Sequence, residues 1–438
     1  MKPAAIILAV FAAGLAGCRD GGSSQPPGTP TAESFGSLPG LRETPDRELQ
    51  AELARIVDEQ GTPEQLAQSN IPLEKNVAVG LQRLFLPSRV AATFEESSEI
   101  YPQGQFAFNP VRLQRAIEFR KKYDSQQQHA RKALARGECS FAIRFQDGFE
   151  ADLGFVDVVR TCGRLEAFRA AEALEQDDPV SAIEAFGYML RLAACLAAEK
   201  HVDCRLEGAF LRAEALAVLA AIVEHPDLAR EHLATLSARL DEQLSRWPPD
   251  ADAWIGDRAL GMHAYEVVRA GRLVDLLMPA EIEQFKREGI LRDLPAAAQR
   301  TVNQDELYYL RTMREIIDGC SRPFYARAEA FAAIRQDLQE KRSSPEFPVV
   351  AARLLLVAIE NGQGIQAQDR AACESWALGL ALAMGKQQSA AAVNPLSGQP
   401  YEVAREEGVV LVWSVLPGDS RKKPTVLVPD LAQTAPQE

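Results

Sequence analysis

The sequence lacks the short motifs that mark the common enzyme families. Among its 438 residues there are five histidines, and there is no Gly-x-Ser-x-Gly elbow, Walker loop, Gly-x-Gly-x-x-Gly or His-Glu-x-x-His. It also lacks Cys-x-x-Cys, and its histidines lie far apart, so it predicts no metal site and no cofactor. A basic stripe is missing too. The net charge of −13 argues against a nucleic-acid partner, because such binding needs Lys and Arg to neutralise phosphates.

Long hydrophobic runs are absent beyond the N-terminal region. Ala4–Ala13 is apolar throughout, but a membrane-spanning helix needs roughly 20 such residues, and this run is much shorter. It fits the hydrophobic part of a secretory signal. The sequence therefore predicts an exported chain with a signal peptide over residues 1–17.

The end of this run, Leu15-Ala16-Gly17-Cys18, resembles the lipobox of bacterial lipoproteins. In that family the cysteine takes a diacylglyceryl thioether, and cleavage before it frees an amine for a further acyl chain such as palmitate. The resemblance implies a membrane anchor on Cys18, and two or more acyl chains hold a protein stably. In that family an Asp directly after the cysteine favours retention in the inner membrane. Arg19 stands at this position, so the resemblance favours the outer membrane, with the folded part in the periplasm. An ordinary signal peptide with a chance cysteine is the alternative.

Six cysteines remain after Cys18 is assigned to lipid. They are Cys139, Cys162, Cys195, Cys204, Cys320 and Cys373. An even number in an exported chain favours three disulfides. Spacing does not decide among the 15 possible pairings. Cys195 and Cys204 flank an expected turn between helices and are the favoured pair, and Cys139 with Cys162 and Cys320 with Cys373 are the further pairs considered. Buried free thiols are the alternative.

Composition divides the rest of the chain into three parts. Residues 18–44 are rich in Gly, Ser, Pro and Thr and predict a flexible tether. Residues 45–390 place apolar residues at helical spacing between short polar or Pro-containing turns, and predict an α-helical body. Residues 391–438 predict a small β appendage and a mobile tail. The predicted fold class is mainly α, a multi-helix array or bundle with a small C-terminal β-hairpin appendage.

Local patterns give sharper expectations. Thr62 before Pro63 predicts a capped helix start. The other expectations are one long helix over 112–136, a short strand over 140–145, separate helices over 349–360 and 373–384, and a hairpin from 401–405 and 409–415.

A turn-rich segment, residues 394–418, reads Asn-Pro-Leu-Ser-Gly-Gln-Pro, then an alternating strand, then Leu-Pro-Gly. It resembles the terminal module of uncharacterised envelope proteins from planctomycete-type bacteria, and a similar tail closes the head of major pseudopilins of type II secretion. The matching residues are Pro395, Ser397, Gly398, Pro400, Ser414, Pro417 and Gly418. Pseudopilin heads can bind calcium through acidic residues here. Because Asn394 replaces the usual Asp and basic residues 421–423 follow Asp419, no calcium is expected.

The best polar constellation lies on one expected helix. His263 and Glu266 are three residues apart and would share a face, with Asp257 six residues earlier. An acid–base site is one interpretation, and simple pairing across a helical turn is the other. A further acidic cluster is interpreted as a solvated turn: Asp147, Glu150 and Asp152.

Two hypotheses of function follow. The first is a lipid-anchored, non-catalytic helical scaffold or interaction module whose partner is another envelope protein. The alternative is a periplasmic hydrolase that uses Asp257, His263 and Glu266, and it requires those side chains to meet in one pocket. Whether the chain is an enzyme is left open by the sequence, which leans towards a non-catalytic role.

Overall fold

A computed structural model describes residues 46–102, 104–386, 393–414 and 425–430. These residues form sixteen α-helices and one three-stranded antiparallel sheet. The predicted fold class, mainly α with a small C-terminal β element, is confirmed. The expected signal peptide, Cys18, the tether over 18–44 and the end of the chain lie outside the described residues.

The helices follow one another with short connections. The first eight are α1 (Arg47–Gln60), α2 (Pro63–Leu66), α3 (Val77–Leu81), α4 (Pro87–Ile100), α5 (Pro110–Lys122), α6 (Asp124–Leu134), α7 (Gly154–Glu175) and α8 (Pro179–Ala197). The next eight are α9 (Val202–Val223), α10 (Arg230–Ser245), α11 (Asp250–Arg269), α12 (Pro279–Arg287), α13 (Leu294–Arg300), α14 (Val302–Gly319), α15 (Ala328–Lys341) and α16 (Ile359–Ala383). The strands are β1 (Glu402–Glu406), β2 (Val409–Trp413) and β3 (Val426–Pro429). Short helical turns lie at Phe145–Glu150, Leu273–Leu276, Phe324–Arg327 and Ala351–Leu355.

Helix starts follow the capping residues in the sequence. The hydroxyl of Thr62 accepts a hydrogen bond from the backbone of Gln65 at 3.0 Å, and the Gln65 side chain accepts one from the Thr62 backbone at 2.9 Å. This reciprocal pair satisfies two donors that a helix end leaves open. The predicted cap at Thr62 is confirmed.

Helix α8 lies at the centre of the fold, between α7 and α9. It begins at Pro179, where the Asp178 carboxylate caps the backbone of Ser181 at 3.0 Å. By length and composition, α8 is the one helix among the described residues that qualifies as a candidate membrane span, and 67% of the qualifying window is buried inside the protein. A core helix that is surrounded by other helices is also apolar on all sides, so it meets the same criteria of length and composition.

The buried apolar residues form two main clusters. The larger one is built by α3–α10, the C-terminal half of α16 and the sheet. The smaller one joins α1, α11 and α14 to the segment around Val350. Helix α11 contributes to both clusters, with Leu260 in the larger and Trp254 and Tyr265 in the smaller. The position of α11 is therefore fixed by packing in both apolar clusters.

Two predictions in the region 112–145 are wrong. The expected single helix is divided into α5 and α6 at Tyr123, whose ring packs against Phe85 and Phe119 with ring centroids 5.7 and 4.9 Å apart. The expected strand over 140–145 forms no β-ladder. Alternate residues from Phe141 to Phe145 are buried, so the segment is extended, but side-chain burial replaces strand pairing.

The expected separate helices over 349–360 and 373–384 are also wrong. The structure has one turn at Ala351–Leu355 and then the continuous helix α16. The middle of α16 buries Gln363, Gln366 and Asp369, and this polar face interrupts the apolar spacing that the prediction relied on.

The predicted C-terminal hairpin is confirmed as β1 and β2, with Glu406 paired to Val409. A third strand, β3, was not predicted and pairs antiparallel with β2. The buried valines of β2 and β3 pack on α16 at Gly379, and they belong to the larger apolar cluster. The sheet is thus continuous with the helical core.

Candidate functional site

Helix α11 carries all three predicted site residues. His263 and Glu266 are one turn apart, and each is partly buried. The turn at Phe145–Glu150 packs against this helix. Because α11 is shared by both apolar clusters, this face of the helix is held in a fixed position.

Gly148 brings the turn close to His263. A Cβ at position 148 would collide with the imidazole Nδ1, and the backbone there has φ +59°, a conformation that favours glycine. Asp147 and Glu150 are thereby placed where their charges act on His263. Glu150 and Asp152 are exposed, as expected of a solvated turn, and Asp147 is partly buried. Asp152 caps the backbone of Gly154 at 2.9 Å.

Burial lowers the pKa of His263, against the opposing effects of Glu150, Glu266 and Asp147; Arg272 lowers it further. Burial therefore favours the neutral form of the imidazole. A neutral imidazole beside carboxylates is able to accept a proton or to donate one hydrogen bond. The arrangement has the chemical elements of an acid–base pair.

Glu266 also serves the packing of α11 on α14. Its carboxylate pairs with Arg269 at 3.2 Å, and Arg269 donates to Asn303 at 2.8 Å and pairs with the buried Glu306. This ion pair joins Glu266 to Arg269 and, through Arg269, to α14, so Glu266 lines a contact between two helices. Glu266 still lies on the same face of α11 as His263, and its charge acts on the imidazole.

Asp257 belongs to a different environment. Burial and the nearby Asp203 raise the pKa of its carboxyl to about 7. Its backbone carbonyl accepts a hydrogen bond from the Tyr309 hydroxyl at 3.4 Å. The structure therefore groups His263 with Glu266, Asp147 and Glu150, but it does not bring Asp257 to them. Within the described residues, no group of three His, Cys, Asp or Glu side chains is arranged to hold a metal ion.

Sequence reasoning missed a network of buried arginines. Arg212 of α9 is fully buried and donates to the Asp369 carboxylate of α16 from Nε, at 3.0 and 2.9 Å to its two oxygens, and from Nη2 at 2.5 Å. Its guanidinium lies 4.6 Å from the Trp247 ring centroid. Arg205 lies about two turns earlier on the same helix and donates to the carbonyls of Pro248 and Pro249 at 3.1 and 2.9 Å. No motif signals this network, since its members are scattered over the chain.

A third buried arginine ties the turn at Phe324–Arg327 to α11 and α16. Arg327 donates to Asp250 at 2.8 Å and to Gln363 at 2.9 Å. The Gln363 amide in turn lies 3.4 Å from the sulfur of Cys320. Each of these buried charges joins segments that are distant in sequence.

None of the three expected disulfides is formed. The thiols of Cys139, Cys162, Cys195, Cys204, Cys320 and Cys373 are all free in the structure. Cys162, Cys204 and Cys373 are almost completely buried, and burial raises the pKa of each. Such thiols are unreactive as nucleophiles, because the thiolate is disfavoured.

Comparisons with protein-family models, with curated proteins and with solved structures found no match to this chain.

Proposed function

We propose that the protein is a lipid-anchored component of a bacterial envelope and that its helical body is a non-catalytic module that binds another envelope protein. The observation that carries the proposal is the use of three buried arginines. Arg205, Arg212 and Arg327 all join helices or connections from distant parts of the chain. Buried charges that connect distant segments support a body of fixed conformation, which a binding module requires.

The anchor is tested by expression with the native N-terminus, separation of membranes and intact-mass measurement. We expect a chain that begins at Cys18 and carries a diacylglyceryl group and a further acyl chain. The matched control is Cys18→Ser, which should lose the lipid mass and the processing before residue 18. A wild-type protein that is recovered in the soluble fraction without lipid would contradict the anchor.

The binding role is tested by site-specific photo-crosslinking in cells. Among the described residues, the three most exposed large apolar side chains are Leu73, Leu86 and Val111, at 73%, 67% and 73% exposure. Exposed apolar side chains are the ones that a partner covers. A photo-reactive residue at these positions should capture a defined envelope protein, whereas the exposed Gln336 of α15 serves as the control site. The same diffuse products from all four positions would contradict the proposal.

A second candidate function is acid–base hydrolysis at His263. It is favoured by the neutral imidazole, the three adjacent carboxylates and the glycine-only backbone at Gly148. The test is turnover of ester, amide and glycoside chromogenic substrates by the purified protein. His263→Gln should abolish turnover, and Asp257→Asn should leave it intact. Absence of turnover in the wild type, or equal turnover in His263→Gln, would remove this candidate.

A further inference from the structure

Arg205 of α9 is a buried cation, and within the described residues no carboxylate contacts it. The residue is 2% exposed. Its Nη1 and Nη2 donate to the carbonyls of Pro248 and Pro249 at 3.1 and 2.9 Å, and neither acceptor carries a net charge. Burial lowers the pKa of the guanidinium to about 10, so the group remains protonated at pH 7. Its charge therefore lacks a contacting counterion.

The other buried arginines of this region already have carboxylate partners. Arg212 pairs with Asp369, and Arg327 pairs with Asp250 at 2.8 Å. These two carboxylates and one further carboxylate favour the charged form of Arg205 from a distance, whereas Arg212 disfavours it. Three buried arginines with two contacting carboxylates leave one positive charge in excess. The excess lies at Arg205, and a buried charge without a contacting counterion is costly.

Three N–H groups of the same region have no acceptor in the part of the chain that the structure describes. They are Nε of Arg205, Nη1 of Arg212 and Nε2 of Gln366, and all three atoms are shielded from solvent. Other atoms of these side chains are in use, since Oε1 of Gln366 accepts from the Trp254 indole at 3.1 Å. Buried donors in folded proteins nearly always have a partner. These three donors therefore point to an acceptor that the protein itself does not supply.

The contacts of these side chains place the donors in one buried region where α9 packs on α16. Arg205 and Arg212 are seven residues apart, which is about two turns and returns to the same face of α9. Gln366 lies one turn before Asp369, so the free amide shares a face of α16 with the partner of Arg212. Its bond to Trp254 places Gln366 beside the start of α11, and the two carbonyls that accept from Arg205 directly precede that helix.

We infer that this region binds a small inorganic anion of the halide class as the counterion of Arg205, with Nη1 of Arg212 and Nε2 of Gln366 as further donors. A water molecule would accept the same hydrogen bonds, but it would leave the positive charge unbalanced. An anion accepts these bonds and supplies the missing charge, and hydrogen bonds between ionised partners are the stronger kind. Because all three donors are buried between packed helices, the site favours a compact ion over the acidic group of a large molecule.

The test is thermal unfolding of the purified full-length protein while sodium bromide replaces sodium gluconate at constant ionic strength. Constant ionic strength is required because the chain has a net charge of −13, and any salt screens its self-repulsion. Gluconate is the reference because it is too large for a buried site. We expect bromide to raise the melting temperature along a saturating curve, by about 2 °C or more. Equal melting temperatures in the two salts, or a rise without saturation, would overturn the inference.

Variants assign the effect to the site. Arg205→Met removes the unbalanced charge and should abolish the difference between bromide and gluconate. The matched control is Arg246→Met, which removes an exposed arginine at the end of α10 and should keep the difference.

A second variant supplies the missing charge and does not depend on the folding of Arg205→Met. The carboxylate of Gln366→Glu still accepts from Trp254 and takes the place of the anion. In gluconate this variant should reach the melting temperature of the wild type in bromide, and bromide should add nothing. An undiminished bromide effect in Gln366→Glu would overturn the inference.

Crystals grown with sodium bromide locate the ion directly by its anomalous scattering. A peak within hydrogen-bonding distance of Nε of Arg205 would support the inference. Peaks at the protein surface alone would mean an adventitious ion only and would overturn it. Neither experiment uses a membrane or a partner protein, so the result is independent of the proposed anchor and of the proposed binding role.

Discussion

At the scale of single residues, the most completely buried ion pair among the described residues is that between Arg212 and Asp369. Both side chains are buried, with 0% and 5% side-chain exposure. Removing two charges from water is costly, and the hydrogen bonds from Nε and Nη2 of Arg212, together with the nearby Trp247 ring, offset that cost. The pair is therefore more sensitive to the loss of one partner than to the loss of both.

We predict that Asp369→Ala lowers the free energy of unfolding by about 3–5 kcal/mol, because it leaves the Arg212 charge buried without its counterion. The control is Glu59→Ala, which breaks the exposed Arg55–Glu59 pair of α1 and should cost about 0.5 kcal/mol or less. Denaturant and thermal unfolding measure both variants. Equal midpoints for the two variants would contradict the argument.

Glu199 gives the protein a stability that depends on pH. Burial raises the pKa of its carboxyl to about 8 from an ordinary value of 4.5, although Phe141 donates a hydrogen bond to it. Between these two values the folded protein binds a proton that the unfolded chain does not, so stability falls as pH rises. His201, whose pKa burial lowers, acts in the opposite sense below about pH 6.5.

We predict that Glu199→Gln reduces the fall of the melting temperature between pH 5 and pH 8, because the amide carries no titrating proton and still accepts the bond from Phe141. Thermal melts at a series of pH values provide the measurement. The exposed Glu224→Gln is the control and should keep the wild-type slope. An unchanged slope in Glu199→Gln would show that another group controls the pH dependence.

At the scale of elements, one carboxylate holds the turn at Ala351–Leu355. Asp305 of α14 accepts hydrogen bonds from the backbones of Val350 and Ala351 at 2.8 and 2.9 Å, and from the Tyr265 hydroxyl at 2.7 Å. The turn has no other side-chain cap at its start. This contact connects α11, α14 and the segment before α16.

We predict that Asp305→Ala releases this turn, because two buried backbone donors lose their acceptor at about 1–3 kcal/mol each. Hydrogen exchange should accelerate in peptides that cover residues 350–356. Asp318→Ala, on the exposed face of the same helix, is the control and should leave exchange there unchanged. Protection that persists in Asp305→Ala would mean that apolar packing alone holds the turn.

The turn at Phe145–Glu150 gives a second prediction at this scale. Gly148→Ala adds a Cβ that collides with His263, so the turn should move away and the pKa of His263 should rise towards its ordinary value of 6.5 as the ring is exposed. Imidazole NMR titration follows the shift, with assignment by His263→Gln. Gly289→Ala, at φ +73° with no atom within 4 Å of the new Cβ, imposes backbone strain alone and should leave that pKa unchanged.

Local signals in the sequence predicted the elements whose ends are set by local chemistry. Asp178-Pro179 located the start of α8, and Thr62-Pro63 located the start of α2. The continuous α16 was not predictable, because Gln363 and Gln366 look like surface residues until their buried partners are known. Strand β3 was missed for a related reason, since it is a short strand that depends on β2 for its hydrogen bonds.

The candidate site was predictable only in part. The spacing of His263 and Glu266 on one helix was sufficient to place them on a common face. Asp147 and Glu150 reach the same site through a tertiary contact, which spacing does not encode. Gly148 between them was the available signal, because a glycine inside an acidic turn often marks a close approach of backbone to another group.

At the scale of the whole molecule, α1 closes the smaller apolar cluster. Its buried face consists of Leu49, Leu53 and Ile56, and it packs against α14. Glu52 adds an ion pair to Arg314 of α14 at 2.6 Å. The first helix of the described residues is therefore stabilised by a helix that lies about 250 residues later in the sequence.

We predict that Leu53→Ala, at a cost of about 2–5 kcal/mol for the lost packing, detaches α1 before the rest of the protein unfolds. Limited trypsin digestion should then cut at Arg47 and Arg55 while the fragment from α3 onward stays intact. The exposed Ala51→Ser is the control and should resist this cleavage. Simultaneous loss of all protected fragments would show that the two clusters unfold together.

The position of α1 has a mechanical consequence. Tension applied to the chain before residue 46 would enter the described fold at α1, so its contact with α14 would carry the load before the central helices do. The contact consists of three buried apolar side chains of α1 and the ion pairs of Glu48 and Glu52 with α14. We expect it to separate first, which exposes the surface of α14 while α7–α9 stay folded. A pulled molecule would lengthen in steps, with the N-terminal helix as the first.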